Sequence, residues 1–264
     1  MRMNNVNKTL YIPLYGKAYV SQRGLFIEDK TAEKIWSAEG FKLKGKSRSK
    51  WLAYYMGIRA AVFDNWVTDA AKRMQDVVIL HLGCGMDSRI MRVGHAADFK
   101  KWYDVDFPQV IKERERYFNE SESYVMISAD VRNCQWLEEI PKAENAIVVM
   151  EGLSMYMSPE ELKALLENLC NRFTSLALLM DCYSTLAAKL SKIKNPINDV
   201  GVTSVYGIDD PLTLQQSGLS FVAEHNMTPD SYSEQLKGAE RSIFKKLYAG
   251  RFSKKLYRLY EYEK

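Results

Sequence analysis

Hydrophobic side chains recur at helical spacing in the N-terminal part of the chain. From Lys50 to Arg73 they fall three or four residues apart, as expected for one buried face of a helix. The side chains of that face are Trp51, Tyr55, Ile58, Val62, Trp66 and Ala70. Residues 29–39 repeat the pattern on a smaller scale. Residues 1–75 are therefore predicted to supply helices and connections that form a cap or lid over the rest of the chain.

The pattern changes at Asp76, where short strand-like runs begin. Apolar runs bounded by glycine, proline or charged residues are typical of strands buried on both faces of a sheet. Five such runs are predicted as strands, at 77–80, 101–106, 124–128, 146–150 and 176–180. Helices are predicted between them at 109–118 and 159–173, the second with proline at its first position. Strands that alternate with helices predict a parallel, doubly wound α/β sheet.

The last 50 residues depart from this alternation. Residues 219–224 and 256–263 have the character of strands, and residues 231–248 that of a helix. A hairpin-like pair in which one strand runs antiparallel is the natural interpretation. Residues 76–264 are thus predicted to form one compact unit around a seven-stranded, mostly parallel sheet with one antiparallel strand.

Composition and charge exclude several classes of partner. Hydrophobic residues make up 47% of the 264 positions and charged residues 27%, which is ordinary for a globular protein. The 37 basic and 33 acidic residues are interleaved rather than gathered on one element, so no nucleic-acid partner is expected. No apolar stretch has the length of a membrane span and no signal-like N-terminus is present. A cytoplasmic protein without a membrane partner is expected, and its oligomeric state stays open.

Cysteines and histidines are too scattered to predict a metal site. The four cysteines are Cys84, Cys134, Cys170 and Cys182, and no two form a CxxC pair. The three histidines are His81, His95 and His225, and no HExxH motif occurs. Neither a structural zinc site nor a disulfide framework is expected.

Two glycines follow the first predicted strand, as Gly83-x-Gly85. Glycines at such a turn let the backbone bend sharply and approach a ligand closely, although plain strand-to-helix turns use them too. A dinucleotide fingerprint would need a third glycine at position 88, where the chain has Ser88. Asp87 would also place a negative charge beside a pyrophosphate. A cofactor with a sulfonium and an ammonium group tolerates that carboxylate, which favours S-adenosylmethionine over NAD.

Acidic residues stand at the end of each of the next three predicted strands or just after it. Asp104 and Asp106 point to the same side, and Asp106 is better placed to accept hydrogen bonds from both ribose hydroxyls, unless it merely caps the next helix. Asp130 can accept a hydrogen bond from the adenine amino group, while Val131 offers its backbone amide to the ring. Glu151 lies at the edge where open α/β sheets bind ligands. Together these strand ends predict a cofactor crevice.

Four sequence blocks make the resemblance to a known family specific. They are Leu82–Arg89 (LGCGMDSR), Val105–Pro108 (VDFP), Asp130–Arg132 (DVR) and Glu151–Tyr156 (EGLSMY). Over nearly its whole length the chain resembles the leucine carboxyl methyltransferase family. Within it, the chain is similar to the bacterial branch of tetracenomycin-type polyketide O-methyltransferases. The resemblance implies a class I, Rossmann-like methyltransferase fold with S-adenosylmethionine as its cofactor.

The resemblance also implies a set of cofactor-binding residues. Arg59 matches the arginine that holds the carboxylate of the cofactor, a pairing that suits the two-pronged guanidinium. Lys17 is a looser match to a second basic contact, and without the resemblance it would be interpreted as a solvated surface lysine. The positions that match at the strand ends are Gly83, Gly85, Asp106, Asp130 and Glu151.

The chain departs from related methyltransferases in two respects. His81 stands where most class I enzymes have an acid before the glycines, and it is predicted to be a core histidine bonded to backbone. The terminal regions that would face the acceptor match the protein-modifying members of the family poorly. A small-molecule acceptor is therefore expected rather than a protein.

The expected activity is methyl transfer to a hydroxyl or carboxylate of a small, polyketide-like molecule. A phenol, with a pKa of about 10, would profit from a general base, whereas a carboxylate needs none. Tyr156 and His225 are weak candidates for that base. Trp51, Tyr54 and Tyr55 could wall the acceptor pocket, or simply pack within their helix. The alternatives are a protein C-terminal carboxyl methyltransferase, a non-catalytic S-adenosylmethionine-binding protein and, less favoured, an NAD-dependent oxidoreductase.

Overall fold

Seven strands form a single sheet in the order β3-β2-β1-β4-β5-β7-β6. The structure is a computed structural model that describes residues 10–40, 43, 45–95, 97, 99–191 and 205–264. The strands are β1 (Val77–Leu82), β2 (Lys101–Asp106), β3 (Tyr124–Ser128), β4 (Asn145–Met150), β5 (Ser175–Tyr183), β6 (Ser220–His225) and β7 (Tyr257–Glu263). The first five pair in parallel, and β7 runs antiparallel to both β5 and β6. The predicted mostly parallel sheet with one antiparallel strand is confirmed.

Ten α-helices surround the sheet in the described part of the chain. They are α1 (Tyr11–Ser21), α2 (Lys30–Glu39), α3 (Lys50–Arg73), α4 (Arg89–Val93), α5 (Pro108–Arg114), α6 (Pro159–Arg172), α7 (Thr185–Ser191), α8 (Asp230–Ser233), α9 (Gly238–Tyr248) and α10 (Arg251–Leu256). The limits of α3 are those predicted from its apolar spacing. The helix predicted at 231–248 is two helices, because the chain turns inward between them and buries Leu236.

Local capping explains where several helices begin. The Asp29 carboxylate accepts a hydrogen bond from the Ala32 amide and starts α2. Ser158 and Glu161 form a reciprocal capping box at the start of α6, with Pro159 at the first helical position. The helix predicted at 109–118 ends earlier, since α5 stops at Arg114.

Both faces of the central strands β1, β4 and β5 are buried, as the continuous apolar runs predict. Val77 and Ile79 of β1 point to the face covered by α1, α2 and α3, and Val78 and Leu80 point to the face covered by α6. The core therefore consists of two apolar layers, one on each side of the sheet.

The N-terminal helices share the first of these layers with the strands. Ile58, Phe63 and Val67 of α3 are fully buried in the same cluster as Ile147 of β4 and Leu179 of β5. The division of the chain at residue 75 stays a prediction, and residues 1–9 of the predicted cap lie outside the described residues.

The register brings the carboxyl ends of the central strands side by side. His81 of β1 lies opposite Asp104 of β2 and opposite Val149 of β4. Gly83 and Glu151, the first residues after β1 and β4, therefore meet at the same edge of the sheet. This edge is where the sequence predicts a ligand crevice.

Candidate active site

A cavity of about 430 Å³ opens at the carboxyl edge of the sheet. Its two halves differ in chemistry. The charged half is lined by Lys17, Arg59, His81, Gly83, Cys84, Gly85, Met86, Asp87, Glu151 and Gly152. The aromatic half contains Tyr55, Tyr156, Tyr183, Tyr248 and Tyr257, together with Leu52, Met155 and Leu256. The residues of these halves come from α1, α3, the end of β1, the turns after β1 and β4, the end of β5, α9, α10 and the start of β7.

The turn after β1 requires both of its glycines. Gly83 has a φ of +65° and Gly85 a φ of +53°, in the left-handed region that side chains avoid. A Cβ atom at Gly83 would lie 3.0 Å from a methyl group of Leu153, and one at Gly85 would lie 3.0 Å from a methyl group of Leu10. The bare backbone of this turn therefore lines the cavity.

Asp106 fixes that turn from the end of β2. Its carboxylate accepts hydrogen bonds from the amides of Gly85 and Phe107, each at 2.7 Å. Burial raises the pKa of Asp106 to about 6, against the opposing effect of those two hydrogen bonds. Asp106 lies behind the turn and is not among the residues that line the cavity. Its role towards the ribose stays a prediction.

Asp104, the alternative to Asp106, belongs to a buried structural cluster. It accepts hydrogen bonds from the Tyr124 hydroxyl at 2.7 Å and from the Trp102 indole at 2.9 Å, and it forms an ion pair with Arg114. Arg114 also donates to the backbone carbonyls of Gly85 and Asp87, both at 2.8 Å. Arg114 thus holds the glycine turn in place, a role that the sequence patterns missed.

His81 is a buried histidine, but its predicted backbone partner is wrong. Arg89 Nη1 lies 3.2 Å from Nε2, and because arginine only donates, Nε2 must be the acceptor. The proton then resides on Nδ1, which donates to Asp104 Oδ1 at 3.1 Å. Burial lowers the pKa of His81 although Asp104 opposes the change. A neutral imidazole therefore bridges a cation and an anion at the base of the cavity.

Three cations converge on Glu151, after β4. Arg59 Nη2 lies 2.9 Å from Glu151 Oε1, Lys17 Nζ lies 3.6 Å from the same oxygen, and Arg89 pairs with the other oxygen. Burial disfavours the charge of this carboxylate, but the three cations overcome it and hold the pKa of Glu151 well below its usual range. Glu151 is thus an ionised group in a fixed place.

Lys17 is buried rather than solvated, which corrects the interpretation made from the residues alone. Its side chain is 3% exposed, and Nζ lies 3.1 Å from Asp87 Oδ2. Arg92 and Arg89 also pair with Asp87 and, against the effect of burial, hold its pKa well below the usual range. The glycine turn and the N-terminal helix α1 are therefore joined by buried ion pairs.

Arg59 has a second buried partner, Asp181, which the sequence patterns also missed. Arg59 Nη1 lies 3.2 Å from Asp181 Oδ2 and donates to the Tyr257 hydroxyl at 2.8 Å. Asp181 lies near the end of β5, next to the predicted apolar strand 176–180. An acid in such a buried position is the sequence signal that could have found it.

The residues predicted to hold the adenine lie outside the cavity lining. Asp130 is paired with Arg132, whose hydrogen bonds and charge lower the pKa of Asp130. Val131 is buried in the second apolar layer and its carbonyl accepts from the Trp136 indole at 3.2 Å. Both roles stay predictions.

The two candidate bases lie in different places. Tyr156 lines the aromatic half of the cavity. His225 is on β6, is not among the lining residues, and has Nε2 2.5 Å from Glu261 Oε2. Of the three residues predicted to wall the acceptor pocket, Tyr55 lines the cavity and Trp51 and Tyr54 do not. The Tyr54 hydroxyl instead donates to Glu240, and its ring packs against Phe244. Among the described residues, no group of three potential ligand side chains could hold a metal ion.

The sequence model of the leucine carboxyl methyltransferase family matches residues 7–170. The chain belongs to this family. The relative TcmP, a tetracenomycin polyketide synthesis O-methyltransferase of Streptomyces glaucescens, is 27% identical over 92% of this chain and 91% of its own. A second relative, the S-adenosyl-L-methionine-dependent methyltransferase dpfgK of Gibberella zeae, is 26% identical over 64% of this chain and 61% of its own.

The fold agrees with that assignment. The magnesium protoporphyrin IX methyltransferase of Synechocystis PCC 6803, solved with bound SAH, matches with a TM-score of 0.52 over 89% of this chain and 94% of that chain. The two sequences are 11% identical, so the likeness is one of fold alone. The family and the Rossmann-like fold make the chain an S-adenosylmethionine-dependent methyltransferase, as predicted.

Proposed function

We propose that this family member is an O-methyltransferase acting on a hydroxyl or carboxylate of a small, aromatic, polyketide-like molecule. The observation that carries the proposal is the division of one cavity into a charged half beside the glycine turn and an aromatic half with five tyrosines. The relative TcmP, named for tetracenomycin polyketide synthesis, supports the same acceptor class.

The charged half suits the amino-acid end of S-adenosylmethionine, which carries both a carboxylate and an ammonium group. Within the described part of the chain, Arg59 Nε is buried without a hydrogen-bond partner, and Asp87 Oδ2 is buried with ion-pair neighbours only. Arg59 and Lys17 would face the cofactor carboxylate, while Asp87 and Glu151 would face its ammonium. A site with both signs of charge fits a zwitterion better than the pyrophosphate of NAD.

The adenosine end would extend along the same edge of the sheet. The bare backbone at Gly83 and Gly85 allows close approach, and Asp106 would accept from the ribose hydroxyls. Asp130 and Val131 would hold the adenine, beyond the ribose. These assignments rest on the order of the strand ends and on the family resemblance.

Positioning is what the protein contributes to the reaction. The bound cofactor supplies a methyl group activated by a sulfonium. The protein aligns the acceptor oxygen behind that methyl group, and alignment of this kind is worth roughly 7 to 11 kcal/mol. Tyr55 and Tyr257 line the cavity, and Tyr257 contacts Arg59 of the charged half, so these rings would exclude water and face the positive charge of the cofactor.

Five ionisable groups that line the cavity make poor bases. Burial raises the pKa values of Tyr55 and Tyr257, so these phenols keep their protons. Asp87 and Glu151 are held ionised by ion pairs, and His81 already accepts a hydrogen bond from Arg89. An acceptor that ionises readily by itself, an aromatic carboxylate or an acidic phenol, therefore fits this cavity best.

We place the enzyme in the cytoplasm with a small molecule as its partner, and without nucleic-acid or membrane partners. All four cysteines are free thiols, which suits a reducing compartment. No helix in the described ranges combines the length and the apolar character that crossing a bilayer requires.

Calorimetric titration with S-adenosylhomocysteine, beside NAD and with Arg59→Ala as a control, tests the cofactor. We expect micromolar binding of S-adenosylhomocysteine alone, weakened in the variant. Turnover is then compared for phenols, aromatic carboxylates and a peptide ending in leucine. Turnover of the peptide alone would favour a protein carboxyl methyltransferase, and binding without any turnover a non-catalytic protein.

A further inference from the structure

Asp181 is a fully buried carboxylate that no step of the proposed reaction uses directly. Its side chain is 0% exposed. Asp181 Oδ2 accepts a hydrogen bond from the Tyr257 hydroxyl at 2.6 Å and lies 3.2 Å from Arg59 Nη1. Asp181 Oδ1 accepts from the Gly152 amide at 2.6 Å. One carboxylate thus joins Arg59 and Gly152 of the charged half to Tyr257 of the aromatic half.

The contacts of Tyr257 close a triangle. Its hydroxyl donates to Asp181 and accepts from Arg59 Nη1 at 2.8 Å. Arg59 belongs to α3, Asp181 to β5 and Tyr257 to β7, so the triangle connects the N-terminal helices to the C-terminal strands. The Tyr257 ring, whose centroid lies 5.1 Å from that of Tyr183, forms part of the cavity wall.

We propose that Asp181 is a positioning residue for cofactor binding, acting through Arg59 with Tyr257 as the bridge. This inference rests on the proposed function, in which Arg59 holds the cofactor carboxylate. Arg59 lies between two anions, with Glu151 2.9 Å from Nη2 and Asp181 3.2 Å from Nη1. Without Asp181 the guanidinium would be free to turn towards Glu151 and lose the orientation that a two-pronged contact needs.

The bond to Gly152 adds a second effect. Gly152 follows Glu151 and has a φ of +72°, so the turn after β4 depends on its local backbone contacts. Because Asp181 accepts from the Gly152 amide, it also fixes the residue beside Glu151. The same carboxylate therefore sets the place of the cation and of the anion that would meet the two ends of the amino-acid moiety.

Stability alone does not account for an acid in this position. Burying an ion pair is costly, and apolar side chains of similar volume often give an equal or more stable protein. The neighbouring β5 residues Met180 and Cys182 are buried on the opposite face without any charge. An acid that contacts Arg59 and Tyr257 serves the cavity rather than the core.

A double-mutant cycle tests the inference. S-adenosylhomocysteine affinity is measured calorimetrically for the wild type, Asp181→Asn, Arg59→Ala and the double variant. We expect Asp181→Asn to weaken binding about tenfold or more in the wild-type background, and to change it less than about twofold once Arg59 is absent. An equal loss in both backgrounds, or no loss in the wild type, would overturn the role of Asp181. No binding by the wild type would instead refute the proposed function.

Tyr257→Phe is a milder variant that retains the test if Asp181→Asn does not fold. We expect a rise of about threefold or more in the KM for S-adenosylmethionine, with kcat changed less than about twofold, since the hydroxyl loses its bonds to Asp181 and from Arg59 while the direct pair between those two residues remains. Tyr262→Phe is the matched control on the same strand, because its hydroxyl bonds to the Pro211 carbonyl on the other face of the sheet. A fall in kcat with an unchanged KM in Tyr257→Phe would contradict the bridging role.

Discussion

The charged and aromatic halves of the cavity are held in place by different physical means. In the charged half, Lys17, Arg59 and Glu151 are buried or nearly so and linked by ion pairs. In the aromatic half, Tyr248 stacks on Tyr55 with centroids 5.0 Å apart, and part of the lining comes from the C-terminal helices α9 and α10. Ion pairs fix the orientation and separation of the charged side chains, whereas contacts between rings fix the shape of the cavity wall. This difference agrees with the proposal that the charged half holds the cofactor and the aromatic half the acceptor.

Removing Arg59 should have the largest effect, because it breaks the charged half at its centre. Arg59→Ala leaves Glu151 with fewer partners and Asp181 without its cation. We expect S-adenosylhomocysteine affinity to fall about 100-fold or more and the free energy of unfolding to fall by about 3 kcal/mol or more. Calorimetry and urea denaturation measure the two quantities.

Arg73→Ala is the control for that prediction. Arg73 is on the same helix α3, is 54% exposed, and pairs with Glu261 outside the cavity. We expect the free energy of unfolding of Arg73→Ala to fall by about 1 kcal/mol or less. Equal losses of unfolding free energy in the two variants would show that the ion pairs of the charged half stabilise the protein no more than a surface ion pair does.

Gly85→Ala should have the next largest effect. The left-handed φ and the approach of Leu10 both oppose a side chain, and left-handed backbone alone costs about 1 to 3 kcal/mol. Because the turn would shift under the cofactor, we expect S-adenosylhomocysteine affinity to fall about tenfold or more. Calorimetric titration of the purified variant with S-adenosylhomocysteine measures this affinity.

Gly24→Ala separates the backbone strain from the displaced turn. Gly24 also has a left-handed φ, of +62°, but a Cβ atom added there would meet no other atom within 4 Å. This variant should therefore lose stability without losing cofactor affinity. Normal affinity in Gly85→Ala would show that the turn does not line the cofactor site.

Acidic pH should weaken cofactor binding through Asp106. If the ionised carboxylate accepts from the ribose, the complex binds fewer protons than the free enzyme, so affinity is full above the pKa of about 6 and falls below it. We expect a loss approaching tenfold per pH unit well below pH 6. The measurement is a titration series from pH 5 to pH 8.

Asp106→Asn is the matched variant for that series. Its affinity should be lower and independent of pH, because the titrating group is gone. If the pH dependence survives in Asp106→Asn, another group causes it, and the ribose role of Asp106 is wrong.

Changes in the aromatic half should be the smallest and should spare the cofactor. Tyr248→Leu removes the stacking on Tyr55, a contact worth about 0.5 to 1.5 kcal/mol. We expect the acceptor KM to rise about three- to tenfold, with S-adenosylhomocysteine affinity unchanged. Steady-state kinetics with the best acceptor measure this, and a loss of cofactor affinity would contradict the separation of the two halves.

Much of the charged half could be predicted because its parts follow strands. A parallel sheet brings its carboxyl ends to one edge, so Gly83, Gly85 and Glu151 could be assigned to one crevice before their contacts were known. Lys17 and Arg59 were assigned only from the family resemblance, since helical spacing does not show which partners a charged side chain meets. His81 was predicted to be buried, but its partner could not be predicted, because the strand register places Asp104 beside it.

The aromatic half could hardly be predicted at all. Of Trp51, Tyr54 and Tyr55, adjacent residues on one helix, only Tyr55 lines the cavity. Helical spacing gives the buried face of α3 but not the neighbour that the face meets. The short helices α7 and α10, which also line the cavity, lacked enough periodicity to be recognised.

The sequence by itself determined the alternation of strands and helices, the glycine turn and the acids at the strand ends, because these depend on residues close together in the chain. Only the tertiary structure decided which charges meet. Arg59 and Asp181 are 122 positions apart and Asp181 and Tyr257 are 76 apart. Their pairing requires α3 to pack on the sheet and β7 to insert beside β5. The free energy of that packing comes from the apolar layers, and it places the charges where neither local propensity nor spacing could predict them.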